Sequence, residues 1–311
     1  MPKYALLTYQ KAGSQWVKDV VFGKETLRAV PGALLCGPSD HRYRLEWWSG
    51  QPSLTCSGPF YNVSYEEWTA WSRPSDRALH VYRDPRDRLI SWVFSMSYSH
   101  PTTPIVEALR APLCSLDLRD RISLAIVITG QAGIWMTRSW LNPPEPRNFY
   151  SVSFERLIEE PAREYGAIFA YFGWDVSSEL IDDVLAAQSF EARSGGRVRG
   201  ETNELSHYRR GIAGDWRTYF DRNLGKLFEE NYPRALVDLG YESDVDWFET
   251  LPEAIDTRAL DESAFIARDD LLHAEIERLR GRNEALEAGF AAQVGLLQEY
   301  QRIAGAAARH S

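Results

Sequence analysis

Two apolar runs constrain this chain most, because each is closed by a short polar turn that carries a cation and leads into a helical pattern. Tyr4 to Leu7 runs into Tyr9-Gln10-Lys11-Ala12-Gly13-Ser14-Gln15-Trp16, and Ala78 to Tyr82 runs into Arg83-Asp84-Pro85-Arg86-Asp87, with Ser91 beyond. A helix that begins directly after a strand turns its free N–H groups and dipole towards the strand's carboxyl end, a setting that favours phosphate. Strands alternating with helices imply a parallel sheet covered on both faces. Such sheets bind ligands beyond the carboxyl ends of their strands. Two such turns in one sheet point to a ligand with two separated phosphates.

The same patterning predicts further strands near Leu54 to Ser57 and at Asn148 to Ser153. Helices are expected at Trp16 to Arg28, around Trp68 and Trp71, and over Arg86 to Ser97, Ile122 to Trp140, Ser178 to Ala192 and Asp221 to Leu239. Residues 31–53 read as irregular and 193–206 as a mobile, Gly- and Arg-rich loop. The globular part is expected over residues 1–245, with a connector at 246–262. Beyond it, Ile276, Asn283, Phe290 and Leu297 fall at a positions and Leu272, Leu279 and Leu286 at d positions of a heptad. A coiled-coil helix over 263–305, a short tail at 306–311 and self-association to a homo-oligomer follow; a single amphipathic helix folded back on the domain is the alternative.

The formal net charge of -9 argues against a nucleic-acid partner. Positive charge is local: Arg193, Arg197, Arg199, Arg209, Arg210 and Arg217 stand against Glu201, Glu204 and Asp215. A basic pocket in an acidic protein suits a small anionic ligand. Cys36, Cys56 and Cys114 show no metal-ligand spacing with the histidines, so no metal is expected. The absence of a long apolar stretch predicts no membrane span and a cytoplasmic location. Gly23-Lys24-Glu25-Thr26 lacks the first glycine and the Lys-Ser/Thr pair of a Walker A loop, which excludes that reading.

The loop at Lys11 has the physics of a phosphate cradle. Gly13 permits the tight turn, successive N–H groups can wrap a tetrahedral anion, and Lys11 can neutralise charge growing on a leaving oxygen. Together the motifs resemble the sulfotransferases that use 3'-phosphoadenosine 5'-phosphosulfate. Their Tyr-Pro-Lys-Ser-Gly-Thr-Thr-Trp is similar to Tyr9–Trp16, and their Arg followed eight residues later by Ser is similar to Arg83 and Ser91. Their Arg-Lys-Gly-x-x-Gly-Asp-Trp is similar to Arg209-Arg210-Gly211-Ile212-Ala213-Gly214-Asp215-Trp216. Ser153–Leu157 and Ser189–Glu191 resemble two weaker segments of the family, in the same order.

The resemblance implies an α/β, P-loop-like three-layer sandwich with a central parallel sheet. It implies that Gly13, Ser14, Gln15 and Trp16 hold the 5'-phosphosulfate. Arg83, Ser91, Arg209, Arg210 and Gly211 would bind the 3'-phosphate, and Phe154 and Phe190 would line the adenine pocket. Lys11 would assist departure of the nucleotide phosphate. Cytosolic members carry a His base in a Thr-His-x-Pro context at the end of the second strand. The comparable stretch here is Cys56-Ser57-Gly58-Pro59, which puts Ser57 at that place and sends the search for a base to His41 or Glu46. A serine alone cannot act as that base.

The implied reaction is transfer of a sulfuryl group to an acceptor hydroxyl. Trp47, Trp48, Trp68, Trp71 and Trp92 offer flat faces for a sugar, which favours a carbohydrate or glycolipid acceptor. A nucleotide or small-molecule kinase with an aberrant phosphate loop, and a non-catalytic scaffold working through the coiled coil, are the competing classes.

Overall fold

A computed structural model of the chain describes residues 1–37, 44–146 and 148–257. The heptads of residues 263–305 and the tail at 306–311 lie outside the described residues, as does His41. Five parallel strands are joined in the order β2-β3-β1-β4-β5, with β1 at Tyr4–Thr8, β2 at Leu34–Cys36, β3 at Thr55–Tyr61, β4 at Arg77–Tyr82 and β5 at Phe149–Ser153. Alternation along β1 divides the interior in two. Tyr4 and Leu6 enter one core, and Ala5 and Leu7 enter the other.

The first core is closed by α1 (Ser14–Val21), α8 (Phe154–Glu159), α9 (Pro161–Phe172) and α10 (Ser178–Ala187), through Val17, Val20, Leu157, Ile168, Phe172 and Ile181. The second is closed by α3 (Arg44–Gly50), α4 (Tyr65–Trp71) and α7 (Leu118–Leu141), through Trp48, Trp68, Trp71, Met136 and Trp140. Helices on both faces of a parallel sheet leave its carboxyl edge as the open place for a ligand.

Several boundaries differ from the sequence expectation, each for a local reason. The helix expected over Trp16 to Arg28 breaks into α1 and α2 (Lys24–Arg28), with Gly23 at the junction pressed against the Asp19 carbonyl. The segment read as irregular contains both β2 and α3, and α6 (Pro104–Ser115) was not anticipated. The helix after β4, α5 (Pro85–Phe94), starts at a proline and passes into a π-helical turn at Ser95–Ser99. Between Ser178 and Ala192 the chain breaks before Ser189, whose side chain caps α11 (Phe190–Ser194) by accepting from the Ala192 N–H. The segment expected to be a connector at 246–262 begins by packing on the domain. Trp247 is buried, with its ring 5.9 Å from that of Trp216 and the Arg86 guanidinium 4.7 Å from its centroid, so the globular part runs past residue 245.

Strand β3 is longer than the sequence suggested. Its pairing with β1 passes from Ala5↔Ser57 to Leu7↔Phe60, so one extra residue is absorbed at the cis Gly58–Pro59 step and the strand continues to Tyr61. A bulge is where a strand tolerates proline, which has no N–H to give to the ladder.

Candidate active site

The first loop leaves β1 through two left-handed residues, Lys11 (φ 72°) and Gly13 (φ 80°). Gly13 is the N-cap of α1. A Cβ there would stand 2.5 Å from the Phe154 ring, so both the backbone and the neighbour demand glycine. Phe154 in turn meets the Trp16 ring edge-on at 6.0 Å and lies under the Arg83 guanidinium at 4.7 Å.

Tyr9 fastens this loop to the second. Its hydroxyl accepts from the Arg83 N–H at 2.7 Å and donates to the Arg83 carbonyl. Gly133 of α7 makes room for the Tyr9 ring, since a Cβ at that position would lie 3.3 Å from it. Arg83 then reaches across, donating to the carbonyls of Lys11 and Ile212, each at 3.3 Å. One arginine thereby joins the loop after β1 to the segment that carries Arg209 and Arg210.

The remaining residues of the second turn are structural. Asp84 caps α5 and pairs with Arg86 at 2.8 Å. Arg86 also pairs with Glu242 and stacks over Trp216 at 3.7 Å, so it is sealed in the interior while Arg83 faces the site. Asp87 accepts from the N–H groups of Gly214 at 2.7 Å and Trp216 at 2.8 Å. Burial pushes its carboxyl up, and the nearby Arg83 works against that shift.

Residues 195–214 have no regular structure but are well tied. Arg197 donates to the Arg209 carbonyl at 2.9 Å and to Ser206 Oγ at 3.0 Å, and the Gly200 N–H donates to the Arg210 carbonyl at 2.9 Å. The loop expected to be mobile is thus strapped by an arginine from its own run. Gly211 (φ 68°) is pressed against the Phe190 ring as Gly13 is against Phe154.

These elements enclose a cavity of about 360 Å³ at the carboxyl edge of the sheet. Lys11, Gly13, Ser14, Gln15, Trp16, Arg83, Ser91, Phe154, Phe190, Arg209, Arg210 and Gly211 all line it. Five separate stretches of sequence therefore meet at one place. Burial, with Arg83 and Arg209 nearby, lowers the Lys11 pKa to about 8. Arg209 and Arg210 both pair with Asp215, and Arg209 also donates to Tyr219 Oη at 2.8 Å. Arg193 and Arg199 line the cavity as well, so six Lys and Arg side chains and one carboxylate, Asp215, are among its lining residues, while Asp19, Glu204 and Asp87 pair with Arg193, Arg209 and Arg83. The signal of Arg193 and Arg199 in the sequence was the arginine run itself.

Other expectations did not meet at the cavity. Ser57 is fully buried in the middle of β3, where its hydroxyl donates to the Cys36 carbonyl at 2.9 Å; the residue at the end of that strand is Tyr61. Tyr61 lines the cavity, as do His100 and His207. Glu46 belongs to α3, and its side chain lies outside what the structure describes. The tryptophans expected to face an acceptor serve packing instead: Trp48, Trp68, Trp71 and Trp92 are buried, and Trp47 packs on Phe60 with ring centroids 6.0 Å apart. Sequence density of tryptophan reported the core, not the site.

The α/β fold thus sets a cation-lined cavity, two left-handed glycines and two helix N-termini at the carboxyl edge of its parallel sheet, a setting that favours anions. The sulfotransferase domain model matches residues 2–240, and the chain belongs to that family. Among its relatives, mouse sulfotransferase 2A6 is 26% identical over 248 residues, covering 75% of this chain and 83% of that protein. The 3-alpha-hydroxysteroid sulfotransferase of Cavia porcellus is 22% identical over 264 residues, covering 74% and 82%. The fold is similar to that of mouse sulfotransferase SULT7A1, solved with PAP, at a TM-score of 0.54 and 17% identity, covering 79% of this chain and 87% of that one. Among the described residues no helix is long and apolar enough to cross a membrane, and no cluster of three or more His, Cys, Asp or Glu is arranged to hold a metal.

Proposed function

We propose that this protein transfers a sulfuryl group from 3'-phosphoadenosine 5'-phosphosulfate to an acceptor hydroxyl. The single observation that carries the reading is the convergence of the Lys11 loop, the Arg83 turn and the Arg209 segment on one cavity, joined by Arg83 itself. In this reading the N–H groups from Gly13 to Trp16 hold the phosphosulfate at the N-terminus of α1. Arg83, Ser91, Arg209 and Arg210 clamp the 3'-phosphate by paired donors. Phe154 and Phe190, each seated on a motif glycine, form the walls for the adenine.

Lys11 is the electrophile. As the acceptor oxygen attacks sulfur in line and the bond to the nucleotide phosphate breaks, negative charge grows on the leaving oxygen, and a protonated lysine beside it lowers the barrier. The cations that line the cavity repel one another, and an anionic donor among them relieves that repulsion.

The acceptor is an alcohol. The tryptophans that favoured a carbohydrate or glycolipid lie in the core, whereas a relative named for hydroxysteroids supports an apolar alcohol instead. Transfer of labelled sulfate from the donor to a panel of a 3-hydroxysteroid, a phenol and a sugar tests this. Label is expected on the steroid or phenol, and none in Lys11→Ala; wild-type rates in that variant would refute the mechanism, and transfer to the sugar alone would restore the carbohydrate acceptor.

The protein acts in the cytoplasm as a homo-oligomer held by residues 263–305, whose a-position Asn283 supports a specified register. Deletion after Asp256 is expected to lower the mass measured by light scattering to that of one chain. An unchanged mass per particle, allowing for the deleted residues, would refute the coiled-coil interface.

A further inference from the structure

Tyr61 is the last residue of β3, and its register partner in the adjacent strand is Thr8, the last residue of β1. The Asn62 N–H also donates to the Thr8 carbonyl at 2.9 Å. Backbone bonds therefore fix the end of one strand against the start of the Lys11 loop, and the Tyr61 ring is carried over the N-terminus of α1. There the phenol oxygen stands 3.1 Å from Ser14 Oγ and accepts from Gln15 Nε2 at 3.3 Å. Ser14 is itself largely buried, at 7% exposure, so the pair forms a hydroxyl chain on the wall of the cavity that also holds Lys11.

We propose, resting on the reading of this cavity as a sulfuryl-transfer site, that Tyr61 and Ser14 relay the acceptor's proton to the departing phosphate. Each hydroxyl has one proton to give and lone pairs to receive, which is what a relay requires. The acceptor O–H donates to the phenol oxygen, the phenol O–H to Ser14 Oγ, and the serine O–H to an oxygen of the bound phosphosulfate. When the new O–S bond forms and the S–O bond to the 5'-phosphate breaks, each proton moves one step along this chain. The acceptor's proton comes to rest on Tyr61, the tyrosine's on Ser14, and the serine's on the phosphate that has lost the sulfuryl group. Atoms and charge balance with no separate base. Gln15 helps to hold the phenol in place through its amide donor.

His207 is the competing group in the same cavity. Burial, Lys11, His100 and Arg193 lower its pKa to about 4. An imidazole so disposed is neutral at physiological pH but holds a transferred proton weakly.

Steady-state turnover of wild type, Tyr61→Phe and His207→Gln, with PAP affinity measured by calorimetry on each, tests the relay. Tyr61→Phe is expected to lose at least about 100-fold in kcat while its PAP affinity stays within about threefold of wild type. Wild type in mixed light and heavy water should show a curved proton inventory, the mark of more than one proton in flight, and the residual rate of Tyr61→Phe a linear one. Turnover of Tyr61→Phe within about fivefold of wild type, or the 100-fold loss appearing in His207→Gln instead, overturns the proposal. Failure of the wild type to bind PAP would bring down the donor assignment and the relay with it; normal PAP binding with normal turnover in Tyr61→Phe would bring down the relay alone.

Discussion

Raising the pH should weaken binding of the donor product PAP through Lys11 alone. In the free protein the Lys11 pKa is lowered to about 8 by burial and by Arg83 and Arg209. A bound nucleotide bisphosphate supplies the negative charge that those cations lack and returns the lysine towards its ordinary value of about 10.4. Above pH 8 the free protein has lost this proton and must recover it to bind. Linkage then requires the dissociation constant to rise by about 1.4 log units, a roughly 25-fold weakening, between about pH 7 and about pH 9.5. Below the free-protein pKa the curve should flatten, because both states are protonated there. Calorimetry in buffers of different ionisation enthalpy should show uptake approaching one proton near the upper end of this range. Lys11→Met should bind more weakly at neutral pH and lose the slope. A flat wild-type curve, or an equal slope in Lys11→Met, would refute the reasoning.

Gly13→Ala forces a side chain into a left-handed backbone and against the Phe154 ring. It should destabilise by about 2 kcal/mol, lowering Tm by about 4–8 °C, and weaken PAP at least about tenfold. Arg83 and Arg86 should separate cleanly although only three residues apart. Arg83→Met should weaken PAP and, by removing its bonds to the Lys11 and Ile212 carbonyls and the partner of Asp87, cost about 1–2 kcal/mol, whereas Arg86→Met strands Asp84 and Glu242 and should cost about 3 kcal/mol. Asp87→Ala orphans the N–H groups of Gly214 and Trp216, so guanidinium denaturation should show a loss of about 2–3 kcal/mol together with weaker PAP binding.

The sequence made the central strands legible because their burial is complete. Ala5, Leu6, Leu7, Leu79 and Val81 are wholly enclosed and read as unbroken apolar runs. Strand β2 did not, since it is three residues long and exposes Leu34 and Leu35 at the sheet's edge. The end of β3 was misplaced because Gly58-Pro59 reads as a breaker, whereas the sheet absorbs it as a register shift. That one error left Tyr61, the true end of the strand, out of the candidate residues. The motif residues were legible because loop chemistry is local: a glycine at positive φ and a cation at a helix start announce themselves in a few letters. What was illegible needed the third dimension. Tyr9 joining two loops, Asp87 holding a backbone 127 residues further on, and Arg199 reaching the cavity leave no periodic trace.

The proposed donor carries phosphate at both ends of an adenosine. Calorimetric titration with PAP, ATP and adenosine 5'-phosphate in parallel tests it most directly. PAP should bind at least about 100-fold more tightly than either of the others, because only PAP engages both the Lys11 loop and the arginine clamp. Equal affinities, or tighter binding of ATP, would contradict it.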